Sequence, residues 1–244
     1  MRDPIRIAGW SGPRNLSTAM MRSFSSRADT AVWDEPFYGA YLKATGSNHP
    51  LKDATMAAWG TDFATISGQC IGPIPDNRPV FYQKHMTHHM LHPLETDWLN
   101  QLTHMFMIRH PARVIASYHA KLENPALADL GFVRQTEIFE QVINETGQKP
   151  AILDTDDLLS APQPMLEKLC QTIGLAFDPA MLEWPAGRHP ADGPWSDHWY
   201  GSVWRSTGFA PPKPLDPHIL RDHAALIDQA MPYYEKMAAL KLTA

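Results

Sequence analysis

Residues 5–18, IRIAGWSGPRNLST, decide the fold. They read as a short apolar strand, a turn with Gly12 and Pro13, then Arg14 and Asn15, then a helix opened by Leu16, Ser17 and Thr18. That order suits an anion. A helix N-terminus presents unpaired N–H groups, its dipole favours negative charge, and a nearby cation completes the balance. Residues 106–118, FMIRHPARVIASY, repeat the logic with a strand through Ile108, then Arg109, Pro111 and a helix carrying Ser117. Two such junctions imply one ligand with phosphates at both ends.

Apolar runs followed by turn residues and helical patterns recur outward from this stretch. Strands are predicted at Ile5–Gly9, Thr30–Trp33, Val80–Gln83, His104–Ile108 and Ala151–Leu153. Helices are predicted at Leu16–Ser26, Thr55–Ser67, Glu95–Leu102, Pro111–Leu122, Phe132–Glu145 and Pro164–Ile173, with a last one within Ile219–Leu240 interrupted near Pro232. The alternation implies an α/β protein with a central, mostly parallel sheet covered by helices on both faces. Ligands bind such sheets beyond the C-terminal strand ends. Both junctions, and the acidic turn Asp34-Glu35-Pro36, fall at that edge.

The chain has 244 residues, 44% hydrophobic and 19% charged, which suits a single domain over 1–244. A net charge of −5 argues against broad attraction to nucleic acid or acidic membranes. Cys70 and Cys170 fit no metal-ligand spacing, and the expected compartment is the reducing cytoplasm. A strand enters too early for a signal peptide, and no apolar run nears the ~20 residues of a membrane-spanning helix.

One region differs. Residues 184–217, WPAGRHPADGPWSDHWYGSVWRSTGFAPPKPLDP, hold Trp184, Trp195, Trp199 and Trp204 and show no helical or strand period. Disordered segments lack aromatic residues, so this one is expected to pack, as a lid over the ligand cleft or as an irregular buttress on the core.

PRNLST resembles the 5′-phosphosulfate loop of sulfotransferases, and IRHPARVIASY resembles their 3′-phosphate segment, with Arg109 and Ser117 at the family spacing. ILDTDDLLSAPQPMLEKLCQTIGLAFDP is similar to the strand, acidic turn and helix late in these enzymes. WSGPRNLST, DEP, KHM, DGPW and WYGSVWRSTGF are similar to a bacterial and plant branch that includes sulfotransferase-like domains joined to aminotransferase-like proteins. The resemblance covers nearly the whole chain. It implies a three-layer fold of P-loop type and sulfuryl transfer from 3′-phosphoadenosine 5′-phosphosulfate to a hydroxyl or amine of a small-molecule acceptor, without a metal. It implies that Gly12, Pro13, Arg14, Asn15, Leu16, Ser17 and Thr18 hold the 5′ end, and Arg109 and Ser117 the 3′-phosphate. Arg205, in WRSTGF, stands nearest to the family's late basic segment.

The chain also departs from the family. Leu16 replaces a common loop glycine, which bars a glycine-only conformation there. Arg14 replaces the usual Lys and offers a planar fork of donors. The pattern GxxxxGK[ST] is missing, which weakens an ATP-dependent kinase alternative, while a non-catalytic nucleotide-binding descendant stays open. Sulfuryl transfer needs a base for the acceptor's proton. Two candidates are His85, beside Lys84 at the expected end of the third strand, and Glu35 in the DEPF turn, if burial raises its pKa. Lys84 is expected to hold the donor's bridging oxygen or sulfonate. The run KHMTHHMLHP (His85, His88, His89, His92) lacks a carboxylate or Cys and reads as a helical turn rather than a metal site. Tyr38, Tyr41, Tyr118 and Tyr200 suit either an acceptor pocket or aromatic core.

Overall fold

A computed structural model describes residues 3–91, 94–119, 125–212 and 214–243. The order is β1 (Ile5–Ser11), α1 (Ser17–Ser25), β2 (Thr30–Asp34), α2 (Tyr38–Thr45), α3 (Lys52–Trp59), α4 (Phe63–Ile71), β3 (Val80–Met86), α5 (Thr96–Leu99), β4 (Thr103–Ile108) and α6 (Pro111–His119). It continues with α7 (Phe132–Thr146), β5 (Ala151–Asp154), α8 (Thr155–Ser160), α9 (Pro162–Thr172), α10 (Ser196–Trp199), α11 (Pro217–Asp222) and α12 (Ala224–Ala238).

The described strands form one five-stranded sheet in the order β2-β3-β1-β4-β5, and every pairing is parallel. The chain leaves β1 toward one side, over β3 to β2, and later crosses back to β4. The order therefore reverses at β1, and the crevice at such a switch point is where these sheets take ligands.

Period-two alternation splits each strand between two cores. Ile7, Tyr82, Met105, Met107 and Leu153 meet Met20, Met21 and Phe24 of α1 and Met165, Leu166 and Leu169 of α9. Ala8, Trp10, Phe106 and Ile152 meet Ile66 of α4, Trp98 of α5, Ile138, Phe139 and Val142 of α7 and Met237 of α12. Helix, sheet and helix make three layers, as the alternation of elements implied.

Several boundaries differ from expectation. The helix predicted over Thr55–Ser67 is two helices, α3 and α4, because Gly60 turns left-handed at φ 84° and Asp62 caps α4 by accepting from the Thr65 amide at 2.8 Å. The last helix breaks at His223, not at Pro232, which lies inside α12. The residues Ala120–Leu122, expected to end α6, lie outside the described residues.

The Trp-rich region is irregular but anchored. Arg22 of α1 donates to Asp192 at 2.7 Å, with both side chains buried, and the Asp192 carboxylate also accepts from the His189 amide at 2.9 Å and the Trp204 indole at 3.0 Å. Trp184 is tied by its backbone amide to the Thr207 carbonyl at 3.0 Å.

Candidate functional site

β1 ends at Ser11 and the chain turns through Gly12–Leu16 into α1. Arg14 (φ 65°) and Leu16 (φ 60°, ψ 17°) are both left-handed. That is the small positive-φ region still open to residues with a Cβ, at a cost of about 1–2 kcal/mol each. The N-cap residue Leu16 offers no side-chain cap, so among the described residues the first-turn N–H groups beside buried Ser17 and half-buried Thr18 face the loop without a capping acceptor.

The strained turn is held by a residue the sequence did not disclose. Gln135 of α7 accepts from the Gly12 amide at 2.8 Å and donates to the Met107 carbonyl at 2.7 Å, and Asn15 donates to the same carbonyl at 3.3 Å. One amide thus ties the loop to β4 and α7. Gly131 (φ 75°), just before α7, passes so near that a Cβ there would lie 2.9 Å from Pro13 Cδ.

The two junctions meet. Arg14 Nε donates to Ser117 Oγ at 2.9 Å, and Arg109 Nη1 donates to the Arg14 carbonyl at 2.8 Å. Among the described residues, Arg109 Nε and Asn15 Oδ1 are buried without a hydrogen-bond partner. Burial lowers the pKa of both arginines; at Arg109 the Asp156 carboxylate opposes this and the neighbouring Arg113 and Arg14 reinforce it. Two partly desolvated guanidinium groups with an unspent donor suit an incoming polyanion.

The carboxylate turn sits two strands away, at the end of β2. β3 runs on to Met86, three residues beyond its expected end, because the pairing with β1 continues through Trp10↔His85 and Ser11↔Met86. Lys84 and His85 are therefore inside a strand, and alternation sends them to opposite faces. Lys84, 1% exposed, donates to Asp34 Oδ1 at 2.9 Å, to Glu35 Oε1, and to the Tyr200 hydroxyl at 2.6 Å. Burial raises the Glu35 pKa most, repulsion from Asp34 adds to it, and Lys84 opposes it. Burial alone would lower the Lys84 pKa, but attraction to Asp34 and Glu35 prevails and raises it.

His85 does not join this group, which corrects the expectation of a shared Lys84-His85 strand end. Its ring stacks on Trp10 at 4.7 Å and meets Trp98 edge-on at 5.7 Å in the α4/α5/α7 core. Burial pushes its pKa down to about 3. His104 is likewise down to about 4, and His89 well below its ordinary value, each chiefly through burial. These folded rings stay neutral where unfolded rings take a proton, so their stability is complete above pH ~6.5 and lost as pH falls below it. The rings of His85 and His104 are each expected to remove about 1 kcal/mol between pH 7 and 5.5. Urea midpoints across that range check this, and His85→Phe should flatten the slope by about one proton.

Arg205 lies exposed in the turn Val203–Arg205 and, among the described residues, makes no hydrogen bond to Arg14, Arg109 or Ser117. The segment reaches the loop edge instead through Gly193, whose amide donates to Asp34 at 3.4 Å, and through Trp195 and Tyr200. His89 stacks on Tyr38 at 4.3 Å and on Tyr41 at 5.0 Å, and its Nδ1 lies 3.9 Å from Glu35 Oε2. His92 lies outside the described residues. Among the described residues no group of His, Cys, Asp or Glu could hold a metal ion, and no helix is long and apolar enough to cross a membrane.

Sheet order and junctions together define an open parallel α/β protein with two arginine-bearing strand-to-helix turns at its switch point. A family profile described as a sulfotransferase domain matches residues 5–241. The chain belongs to that family. It is 33% identical over 234 residues to branched-chain-amino-acid aminotransferase-like protein 1 of Arabidopsis thaliana, covering 96% of this chain and 42% of the relative, and so spans well under half of that protein. Its fold is similar to that of a sulfotransferase from Alicyclobacillus acidocaldarius (TM-score 0.59, 10% identity, covering 99% of this chain and 98% of the other). It is also similar to the sulfotransferase domain of the Synechococcus PCC 7002 olefin synthase (TM-score 0.57, 15% identity, covering 98% and 96%).

Proposed function

We infer that the protein transfers a sulfuryl group from 3′-phosphoadenosine 5′-phosphosulfate to a hydroxyl or amine of a small acceptor. The observation that carries this reading is the joining of both junctions through Arg14, Ser117 and Arg109, with Arg109 Nε buried and unpartnered among the described residues. The bound donor supplies the sulfuryl group and a leaving nucleotide that gains negative charge. Arg14, the uncapped α1 N-terminus and Ser17 and Thr18 meet that charge with fixed donors, which cost little reorganisation. Arg109 and Ser117 hold the 3′ end. Glu35, rather than His85, takes the acceptor proton, and Lys84 orients it. Arg205 has no part in this assignment. Within a single domain, Gly193, Trp195 and Tyr200 of the Trp-rich region cover the Asp34-Glu35 turn. Two buried free thiols, Cys70 and Cys170, suit a reducing, cytoplasmic setting.

Calorimetry with 3′,5′-adenosine bisphosphate, ATP, ADP and AMP, each with and without magnesium, tests the reading. Tight, magnesium-independent binding of the bisphosphate is expected. Preference for magnesium-ATP would replace it with a kinase, and bisphosphate binding without turnover across an acceptor panel would leave a binding protein. Arg109→Ala should weaken the bisphosphate by about 10- to 100-fold, since a charge-assisted hydrogen bond contributes roughly 1.5–3 kcal/mol, while AMP changes little. Equal losses for both nucleotides would remove Arg109 from the 3′ end.

A further inference from the structure

Tyr200 enters the Asp34-Glu35 turn from the Trp-rich segment, just after α10. A phenol has one hydrogen to give and accepts two incoming donors. At Tyr200 the incoming donors are Lys84 Nζ at 2.6 Å and Trp195 Nε1 at 3.2 Å. Its own hydrogen then goes to Asp34, whose two oxygens each lie 2.8 Å away, in preference to Glu35 Oε1 at 3.2 Å. Lys84 has three hydrogens, which meet Tyr200, Asp34 Oδ1 and Glu35 Oε1. Every donor in the group is spent. Glu35 Oε1 is thereby fixed on Lys84, and Oε2, with His89 Nδ1 3.9 Å away, is left to take a proton.

We propose that Tyr200 is a positioning residue for Glu35: by donating to Asp34 and accepting from Lys84, it keeps the ammonium shared between the two carboxylates and Oε2 free. The proposal rests on the reading of Glu35 as the base, and it makes the Trp-rich segment part of the reacting unit. The groups facing Glu35 are Asp34 on β2, Lys84 on β3, His89 in the turn after β3, Tyr38 on α2 and Tyr200 itself. Without the phenol, Asp34 loses a donor and draws Lys84 toward itself. Glu35 then loses part of its counter-charge and holds its proton more tightly.

The test is Tyr200→Phe in the full chain, with the Glu35 titration followed by carbon-13 NMR of glutamate-labelled protein and its resonance identified by loss in Glu35→Gln. The Glu35 midpoint is expected to rise, while affinity for 3′,5′-adenosine bisphosphate stays at the parent value. Turnover with an acceptor from the panel should fall about tenfold at unchanged donor KM, with the acid limb of the pH–rate profile moved to higher pH. Trp195→Phe, which removes the indole donor that orients the phenol, should move the midpoint the same way by less and serves if Tyr200→Phe does not fold. An unchanged midpoint in the folded variants overturns the proposal. Retained turnover in Glu35→Gln removes the assignment of the base instead, and the midpoint still decides whether Tyr200 governs that carboxylate.

Discussion

Glu35→Gln is expected to lower turnover at saturating donor by at least about 10²-fold, with bisphosphate affinity near that of the parent. The amide keeps the size of the carboxylate and an oxygen for Lys84 to donate to, but it cannot accept the acceptor's proton. Burial and Asp34 raise the pKa of the native carboxylate toward the range in which a base works near neutrality. Activity in the parent should therefore rise with pH through that value. The same shift works against stability. Between the ordinary carboxylate value and the raised one the folded chain binds more proton than the unfolded chain, so this group's contribution falls as pH rises. The Gln variant should accordingly be no less stable than the parent at neutral pH. His85→Ala should instead act through lost aromatic packing on Trp10 and Trp98, and read as a lower unfolding midpoint. Near-parental turnover in Glu35→Gln would return the proton to another group.

Lys84→Met is expected to cost about 3–5 kcal/mol at neutral pH, because it leaves Asp34 and Glu35 buried side by side without their cation. Methionine fills the lysine stem's volume, so the loss is chiefly electrostatic. Acid should relieve it. With Lys84 gone the pair holds a proton more tightly, and the deficit against the parent should shrink as pH falls. Denaturant unfolding at pH 8 and pH 6 measures both quantities. A deficit below about 1 kcal/mol, equal at both values, would show that Lys84 does little for the charge balance of the turn.

The strand-to-helix junctions were legible because their signals are local. Gly12-Pro13, the hydroxyls of Ser17 and Thr18, and Arg109 before Pro111 all lie within a few residues of the turns they make. The parallel sheet followed from the alternation of apolar runs with helical patterns. The end of β3 was not legible, since Gln83, Lys84 and His85 are polar and only pairing with β1 extends the strand through them. That single misplacement put Lys84 and His85 on one side of the molecule, when alternation separates them. Gln135, and the part Tyr200 plays beyond pocket or core, were hidden for another reason. Their partners are Gly12 and Asp34, 123 and 166 residues away, and no periodicity encodes such contacts. Pro232 misled because a helix break was expected at the proline, whereas the chain breaks at His223.

Gln135 also restricts which residues its position can accept. It must accept from the Gly12 amide with one end and donate to the Met107 carbonyl with the other. Glutamate, its nearest relative in shape, has no N–H to offer Met107 and would set a negative charge beside the turn that faces an anion. Leucine would fill the space but take the acceptor from the buried Gly12 amide and leave the Met107 carbonyl to the longer Asn15 contact at 3.3 Å. Surface positions away from such contacts generally accept substitution at little cost. Position 135 has an alphabet close to one letter, written by two backbone atoms in other parts of the fold.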